Sequence, residues 1–473
     1  MNRILYQALL EWKGQINRLP LLVRGARQVG KSYLIEQFGR ENYDQLIKVN
    51  FELQPQVAQC FEQLDPHMII KRLELFLQVD ITPHRTLLFL DEIQECPTAI
   101  SALRYLYEQY PDIHVIGAGS LLEFVLNDAS FRMPVGRVQF MYLAPLSFQE
   151  FMMAMGEEKA LKALSSCTPL DPLPLVIHDR LMLRVKEYML IGGMPAAVNA
   201  FLVDHRYRGV DPVQVSILNT YRSDFGKYAS KSSVKLLQKV FDRAPSITAR
   251  RFKYVDIDRD LLSRDIKQAI ELLVDARILR KVRRTNAAGI PLSQGASDND
   301  YKLLFMDIGL MIQSLHVQSE IDSAKDVTLV HQGSVAEQWV GQQLLLLEDW
   351  YRDAELFYWQ RESPGSTAEV DYVVALDGQI IPIEVKSGTT GRLRSIQQFM
   401  KEKQSPMGVR ISAHPLSYVG QLLSVPFYMV HELPRLVDAL KHHVLEVHDV
   451  SEGEHAEDSV FVVNDRDSPK AVT

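Results

Sequence analysis

The chain has 473 residues, of which 47% are hydrophobic and 23% are charged, a composition that excludes a disordered or membrane-embedded protein. Its length corresponds to about three domains of ordinary size. The net charge is −7, yet eight acidic residues and one Arg between Glu446 and Asp467 alone carry a charge of −7. We predict that this acidic tail, residues 446–473, is disordered.

The three cysteines, Cys60, Cys96 and Cys167, are far apart and lack metal-ligand spacing. Neither a disulfide framework nor a zinc site is indicated, and we expect buried thiols. The first residues lack the basic, apolar and small-residue succession of a signal peptide, and no apolar run has the length that spans a bilayer. The sequence therefore predicts a cytoplasmic protein without a membrane partner.

The first 150 residues alternate short apolar runs with helical patterns, the order typical of a parallel sheet with crossover helices. Residues 21–23, 87–90 and 115–116 are predicted strands. Helical, Leu-rich sequence follows and is broken at Gly192, Gly193 and Pro195. The fold class is therefore predicted to be α/β.

The segment from Gly25 to Ser32 matches the phosphate-binding pattern GxxxxGK[ST] between a predicted strand and a predicted helix. In such a loop, glycines let backbone N–H groups converge on phosphate oxygens at a helix N-terminus. Lys31 would contact the β- and γ-phosphates of ATP, and the Ser32 hydroxyl would contact Mg²⁺. The alternative is a simple Gly-containing turn. The predicted nucleotide-binding residues are Gly25, Ala26, Arg27, Gln28, Val29, Gly30, Lys31, Ser32 and Tyr33.

Two acids follow the predicted strand at residues 87–90. Such a strand delivers Asp91 and Glu92 to the carboxyl edge of the sheet, where ligands bind. We expect Asp91 to hold Mg²⁺ and Glu92 to orient or deprotonate the attacking water. The alternative is a pair of solvated acids that cap a helix.

The stretch from Ser246 to Arg284 has two helical patterns followed by an alternating strand pattern and a loop up to Asn299. This order predicts a winged-helix-like module with a long wing. Between Arg250 and Arg284 there are eleven basic and six acidic residues. The surplus favours a surface that contacts DNA phosphates, and a solvated helix face is the alternative.

A β-hairpin is predicted around the Asp377-Gly378 turn. Its register pairs Val370 with Val385, Tyr372 with Ile383 and Val374 with Ile381, which gives one apolar face. On the other face Asp371 lies opposite Glu384, and Glu369 lies opposite Lys386. Like charges at this distance are unfavourable unless neutralised, and they suit a shared divalent cation.

The chain resembles AAA-type ATPases that carry a C-terminal domain of unknown function, DUF4143. The segments that carry the resemblance are GARQVGKS, FLDEIQ, GAGS, GR at residues 136–137, LAPLSFQEF, GGMP, KLLFMDIGL and IEVKSG. By this resemblance Ser120 lies at the sensor strand near the γ-phosphate. Arg137 is where an arginine finger could be supplied, in cis or from a second copy; a surface ion pair is the alternative. Pro195 would pack near the nucleotide base, and a simple helix break is an equally good interpretation of this residue.

The predicted hairpin also resembles the PD-(D/E)xK nuclease family. By this resemblance Asp371 and Glu384, with Glu337 from a helix, would bind Mg²⁺, and Lys386 would position water or stabilise charge at phosphate. No Pro precedes Asp371 directly, which departs from the motif. A nuclease-like fold retained only for interaction is the alternative.

We therefore predict an AAA-type core over residues 1–155, a helical lid over 156–235, a winged-helix-like module over 236–330 and a nuclease-like domain over 331–445. The predicted function is Mg²⁺-dependent ATP hydrolysis that controls DNA binding or processing. The alternative is a nucleotide-dependent switch, similar to STAND ATPases, that binds a protein partner and cuts nothing. Action of Arg137 in trans would require a homo-oligomer.

Overall fold

The computed structural model describes residues 2–441, except for residues 128–130, 132, 134–135, 230, 324–332, 363–365, 367 and 387–392. The predicted acidic tail lies outside the described residues. Within them, no helix has the length and apolar character needed to cross a membrane. The fold is mixed α/β, with one parallel sheet near the N-terminus and a second, mixed sheet in the C-terminal region, as the sequence predicts.

The first sheet has the strand order β2-β3-β4-β1-β5 among the described residues, and every pair in it is parallel. Its buried strand β3 has no exposed residue, which matches the continuous apolar run in the sequence. The predicted strands are confirmed. The elements of this part are α1 (Leu5–Gly14), β1 (Leu21–Arg24), α2 (Lys31–Asn42), β2 (Gln45–Asn50), α3 (Pro66–Leu77), β3 (Thr86–Asp91), α4 (Pro97–Gln109), β4 (His114–Ala118), α5 (Leu122–Leu126) and β5 (Gln139–Tyr142).

A helical region follows the first sheet. The helix break at Gly192 and Gly193 is tied to a later part of the chain, because the Gly193 N–H donates to Asp307 Oδ2 at 2.6 Å. Burial raises the pKa of Asp307 to about 6. The helices are α6 (Phe148–Ala154), α7 (Glu158–Ser166), α8 (Leu175–Ile191), α9 (Pro195–Asp204), α10 (Tyr207–Tyr228), α11 (Lys231–Ile247) and α12 (Ser263–Asp275).

The second sheet has the strand order β12-β13-β11-β10-β9-β8-β6-β7 among the described residues. Its elements and their neighbours are β6 (Leu279–Thr285), β7 (Ala296–Phe305), α13 (Ile308–Leu315), α14 (Gln318–Ser323), α15 (Ser334–Leu344), β8 (Leu356–Gln360), β9 (Glu369–Leu376), β10 (Gln379–Val385), α16 (Arg394–Lys403), β11 (Gly408–Ser412), β12 (Ser417–Val419) and β13 (Leu422–Pro426).

Helix α11 ends at Ile247, at the start of the stretch predicted to hold two helical patterns, and the hairpin β6–β7 follows α12. The winged-helix-like module stays a prediction. Strand β7 begins at Ala296, inside the segment predicted as a loop up to Asn299, because Ala296 pairs with Thr285 across the hairpin. Strand β6 also pairs in parallel with β8, through Val282 and Leu356. Sheet hydrogen bonding therefore runs across the predicted boundary at residue 330, and the division into domains stays a prediction.

Candidate functional site

The loop between β1 and α2 has the backbone conformation that its glycines permit. Gly25 has φ +154° and Gly30 has φ +97°, values that favour glycine. A Cβ atom at Gly25 would lie 2.1 Å from the carbonyl oxygen of Leu143. The loop therefore requires glycine at residue 25 for both space and conformation.

Lys31 begins α2 and is buried beneath this loop. Its ammonium group donates to the carbonyl oxygens of Gly25 at 2.9 Å and Ala26 at 2.8 Å. Burial lowers the pKa of Lys31 to about 8, an effect that the carboxylates of Glu92 and Asp91 partly offset. The sequence thus predicts the position of Lys31 correctly, next to both acids.

Ser32 and Asp91 come together at the carboxyl edge of the first sheet. The Ser32 Oγ donates to Asp91 Oδ1 at 3.0 Å. Asp91 Oδ2 accepts from Asn50 Nδ2 at 3.1 Å and lies 2.9 Å from Lys48 Nζ. Sequence reasoning missed Asn50 and Lys48. The signal was present, since β2 is the parallel neighbour of β3 and Asn50 is the direct register partner of Asp91.

Glu92 lies directly after β3, with φ +50°. Its Oε2 accepts from Gln94 Nε2 at 2.8 Å and from Ser120 Oγ at 3.5 Å. Ser120 follows β4, the strand beside β3. The structure therefore brings Glu92 and Ser120 together at the same edge as Ser32 and Asp91.

The rest of the loop is held by residues from distant parts of the chain. Arg27 pairs with Asp224 at 2.9 Å, and its carbonyl oxygen accepts from the Tyr221 hydroxyl at 2.5 Å. The carbonyl oxygen of Val29 accepts from Arg3 Nη1 at 3.0 Å. Helix α10 thus contacts the loop, which the sequence did not indicate.

The other predicted nucleotide-contacting residues lie around the same loop. Gln28 has φ +62°, and Tyr33 is exposed on the first turn of α2. The Pro195 ring lies 3.5 Å from the position that a Cβ at Gly30 would occupy. Pro195 is therefore next to the loop, and its contact with the nucleotide base stays a prediction.

Arg137 is not brought to this edge. It precedes β5, which runs parallel to β1, so it lies at the amino edge of the sheet, opposite the loop. Its Nε donates to Glu108 Oε1 at 2.9 Å. Within this chain Arg137 forms the surface ion pair that was the alternative interpretation.

The loop and the edge beside it fit Mg²⁺ with a nucleotide phosphate. Mg²⁺ uses one or two protein oxygens together with water and phosphate oxygens. The Ser32 hydroxyl and the Asp91 carboxylate supply two such oxygens, 3.0 Å apart. Lys31 and the N-terminus of α2 supply positive charge for the phosphates.

The predicted hairpin is confirmed in type, and its register is confirmed from the turn to the Tyr372–Ile383 pair. Asp377 and Gly378 both have positive φ, as a two-residue hairpin turn requires. Tyr372 pairs with Ile383 and Val374 pairs with Ile381. The Asp371 Oδ2 atom accepts from the backbone N–H of Val385 at 2.8 Å, and Lys386 forms an ion pair with Glu384.

A lysine that sequence reasoning missed lies inside this acidic cluster. Lys302, on β7, is 3% exposed. Its Nζ lies 2.6 Å from Glu369 Oε1, 3.4 Å from Glu337 Oε2 and 3.8 Å from Asp371 Oδ1. Glu369, predicted to lie opposite Lys386, therefore forms an ion pair with Lys302, which β7 carries into the cluster.

A divalent cation in this cluster would require oxygen ligands that are free to contact it. Oε2 of Glu384 is buried and has no hydrogen-bond partner in the part of the chain that the structure describes, which would suit a cation. However, the ammonium group of Lys302 lies between Glu337, Glu369 and Asp371. Among the described residues, no group of three or more acidic, His or Cys side chains has a metal-binding arrangement. As arranged, these residues do not fit Mg²⁺.

Burial raises the pKa of Glu337, Glu384 and Asp371. The negative charge of Asp371 adds to this effect at Glu337 and Glu384, whereas Lys302 opposes it at all three acids. Against the effect of burial, the carboxylates of Glu337, Asp371 and Glu369 raise the pKa of Lys302 well above its usual value. The cluster is thus held together by Lys302 as an internal cation.

Much of the basic segment is neutralised within the chain. Arg284 pairs with Asp300 at 3.0 Å and Arg251 with the same acid at 2.8 Å. Other basic residues of the segment also lie within ion-pair distance of an acid: Arg277, Arg280, Lys281 and Arg283. These pairs reduce the positive surface predicted to contact DNA.

Three family models match the chain. An AAA domain matches residues 17–152, a domain of unknown function, DUF8612, matches residues 182–320, and another, DUF4143, matches residues 332–428. Among curated proteins the comparison found no match.

Solved structures with similarity to the chain include the following three proteins. A Walker-type ATPase of Pyrococcus abyssi is 14% identical, with 66% of this chain and 95% of that chain covered and a TM-score of 0.42. The ORC1 protein of Aeropyrum pernix, in complex with DNA, is 14% identical, with 67% and 90% covered and a TM-score of 0.29. The AMPPCP-bound DnaA of Aquifex aeolicus is 16% identical, with 58% and 88% covered and a TM-score of 0.27.

These TM-scores are below 0.5, so the three structures say nothing about the ligands of this chain. The AAA family model covers the residues that form the first sheet and its phosphate-binding loop. The chain therefore carries an AAA domain, matched over residues 17–152, and a DUF4143 domain, matched over residues 332–428.

Proposed function

We propose that the protein binds ATP with Mg²⁺ at the loop of residues 25–32 and hydrolyses it. The observation that carries this proposal is the 3.0 Å contact between Ser32 Oγ and Asp91 Oδ1, beside the N-terminus of α2. Lys31 would leave the carbonyl oxygens of Gly25 and Ala26 and contact the β- and γ-phosphates. Phosphoryl transfer depends on positioning and charge stabilisation, and these residues would position the phosphates and stabilise their charge.

In the proposed reaction, a water oxygen forms a bond to the γ-phosphorus and the bond to the β,γ-bridging oxygen breaks, which yields ADP and phosphate. Glu92 accepts a hydrogen bond from this water and takes its proton. Gln94 and Ser120 fix the Glu92 carboxylate through their hydrogen bonds to Oε2. Mg²⁺, held by Ser32 and Asp91, would offset negative charge on the phosphate oxygens.

Two substitutions separate binding from hydrolysis. Lys31→Ala is expected to abolish both nucleotide binding and phosphate release. Glu92→Gln is expected to retain MgATP binding and to lower phosphate release about 100-fold or more, the usual loss for a missing general base. Wild-type protein that binds no nucleotide in the presence of Mg²⁺ would refute the proposal.

Arg137 can serve this reaction only from a second copy of the chain, because in its own chain it lies at the opposite edge of the sheet. We propose that it acts in trans in a homo-oligomer, where it would contact the γ-phosphate of a neighbour. Its side chain is 43% exposed before β5 and pairs with Glu108, which leaves it accessible to such a neighbour.

For the C-terminal part, we propose that the nucleotide state controls DNA binding or processing. The hairpin supports this proposal, because Asp371, Glu384 and Lys386 carry the resemblance to the PD-(D/E)xK nucleases. The test is a gel of linear, nicked and single-stranded DNA incubated with protein, ATP and Mg²⁺. Glu384→Ala should remove any cleavage and leave ATP hydrolysis unchanged.

Lys302 favours a second candidate function. Because its ammonium group neutralises the acids that a nuclease would use for metal, the C-terminal domain would act as a binding module. The protein would then be a nucleotide-dependent switch for a protein partner. ATP turnover that DNA does not change, together with intact DNA on the gel, would favour this candidate.

A further inference from the structure

A row of charged side chains connects the phosphate-binding loop with the second sheet. Arg24, the residue directly before Gly25, donates from Nε to Glu123 Oε1 at 2.8 Å and from Nη1 to the Tyr142 hydroxyl at 2.8 Å. Glu123 lies on α5, close after Ser120. Glu123 therefore belongs to the same loop-and-helix segment as the residue that contacts Glu92.

Arg277 continues the row from Glu123 to the second sheet. Its Nε donates to Glu123 Oε1 at 2.8 Å, and its Nη1 and Nη2 donate to the two carboxylate oxygens of Asp353, both at 2.9 Å. Arg277 closely precedes β6, and Asp353 closely precedes β8, the parallel neighbour of β6. The Arg277 guanidinium group thus connects α5, which follows strand β4 of the first sheet, with the segments that precede two strands of the second sheet.

The contact of Arg277 with Glu123 is buried, whereas the Asp353 side chain is 42% exposed. The side chains of Arg277 and Glu123 are each 8% exposed, and Arg277 also lies over the Tyr142 ring at 4.7 Å. A buried ion pair contributes little net stability, since desolvation offsets most of its attraction. Stability alone therefore gives a weak reason for this row of charges.

The charges in the row do not balance. Arg24, Arg277 and Arg280 carry three positive charges against the two negative charges of Glu123 and Asp353, and Arg280 lies 3.0 Å from Asp353. The positive charge of Arg277 also lowers the pKa of Lys31, so its field extends to the phosphate-binding loop. An anionic phosphate at the loop would offset the surplus.

We propose that Arg277 is a positioning residue that couples the nucleotide site to the second sheet. It acts through Glu123 on the segment that carries Ser120, and through Asp353 on β6 and β8. Such coupling is reciprocal, so a change on either side alters the other. The inference rests on the proposed ATPase function, and it holds whether the C-terminal domain processes DNA or binds a protein.

The test compares three substitutions in the whole chain. Asp353→Asn keeps the shape but removes the charge that pairs with Arg277, and Asp353→Glu restores a carboxylate. The matched control is Glu355→Gln, because Glu355 also precedes β8 and also pairs with an arginine of β6, Arg283. The readouts are kcat, the Kd for a non-hydrolysable ATP analogue with Mg²⁺, and hydrogen exchange of residues 279–285 and 356–360 with and without that analogue.

We expect the analogue to slow exchange in both segments of the wild-type protein. Asp353→Asn should remove this response and lower kcat about tenfold, a loss of about 1.4 kcal/mol of transition-state stabilisation, while Kd changes less than about threefold. Asp353→Glu should recover most of both signals, and Glu355→Gln should behave as wild type. A substitution that merely weakens the fold would not give this split between kcat and Kd together with rescue by glutamate.

Two results would overturn the inference in different ways. If the wild type binds and hydrolyses ATP but exchange in the two segments does not respond, or if Asp353→Asn keeps the wild-type response and kcat, the coupling is refuted and the ATPase function stands. If the wild type binds no nucleotide, both are refuted.

Discussion

The ammonium group of Lys302 lies 2.6 Å from Oε1 of Glu369. It also lies 3.4 Å from Oε2 of Glu337 and 3.8 Å from Oδ1 of Asp371, two carboxylates that the nuclease resemblance assigns to a metal. Removing one partner from a buried charge cluster leaves the other charges uncompensated, at a cost of about 3–5 kcal/mol. Lys302→Met is therefore expected to lower the midpoint of chemical unfolding of the C-terminal part, followed by tryptophan fluorescence.

The control for this prediction is Lys239→Met, which breaks an ion pair with Asp258 in which the lysine is largely exposed. An exposed pair contributes about 0–1 kcal/mol, so this variant should unfold close to the wild type. Adding Glu369→Gln to Lys302→Met should recover part of the lost stability. Equal unfolding midpoints for Lys302→Met and Lys239→Met would contradict the internal-cation interpretation.

The depressed pKa of Lys31, about 8, predicts how nucleotide affinity depends on pH. Phosphate binding requires the charged ammonium, so MgATP affinity should be constant below pH 8. Above it, affinity should fall by up to about tenfold per pH unit as the free protein loses this proton. Measured Kd values from pH 6.5 to 9.5 test this.

Lys31→Arg is the matched variant, because a guanidinium group stays charged over this pH range. Its MgATP affinity is expected to be weaker than that of the wild type and flat with pH. A wild-type profile that is equally flat would show that Lys31 does not titrate in this range.

Asp91→Asn should reduce the contribution of Mg²⁺ to nucleotide binding, since a neutral amide is a poorer ligand for a hard cation. We expect the ratio of ATP affinities with Mg²⁺ and with EDTA to fall about tenfold. Isothermal titration under both conditions gives this ratio. Asp44→Asn, which breaks a surface pair with Arg85, should leave the ratio unchanged.

Arg137→Ala should lower kcat by about 10³-fold if the arginine stabilises transition-state charge, with MgATP affinity unchanged. In the wild type, turnover per chain should rise with protein concentration as the homo-oligomer forms. Glu108→Gln removes the ion-pair partner but leaves the arginine, and it should stay active. Normal turnover by Arg137→Ala would remove the finger assignment.

The sequence was sufficient where local patterns determine the structure. The Asp377-Gly378 turn and the alternation of apolar residues set the register of the β9–β10 hairpin, so the pairs Tyr372–Ile383 and Val374–Ile381 were predicted correctly. The strand–loop–helix order around Lys31 likewise placed Ser32 and Asp91 at one edge of the first sheet. In these cases spacing along the chain largely determines neighbours in space.

The sequence was insufficient where a partner comes from a distant element. Nothing near Lys302 in the chain indicates that β7 will carry it next to Glu337 and Glu369, because that depends on how two strands and a helix pack. The contacts of Arg277 with Glu123 and Asp353 depend in the same way on the packing of two sheets. Long-range charge pairs have no periodicity that a sequence pattern could show.

The parallel pairing of β6 with β8 limits how the molecule can be dissected. A chain shortened to end at residue 330 would leave β6 with an open edge of unpaired N–H and C=O groups, which promotes aggregation. Loss of activity in such a fragment would reflect that exposed edge as much as a missing function. Point substitutions in the intact polypeptide are therefore the sounder route to assigning each half its task.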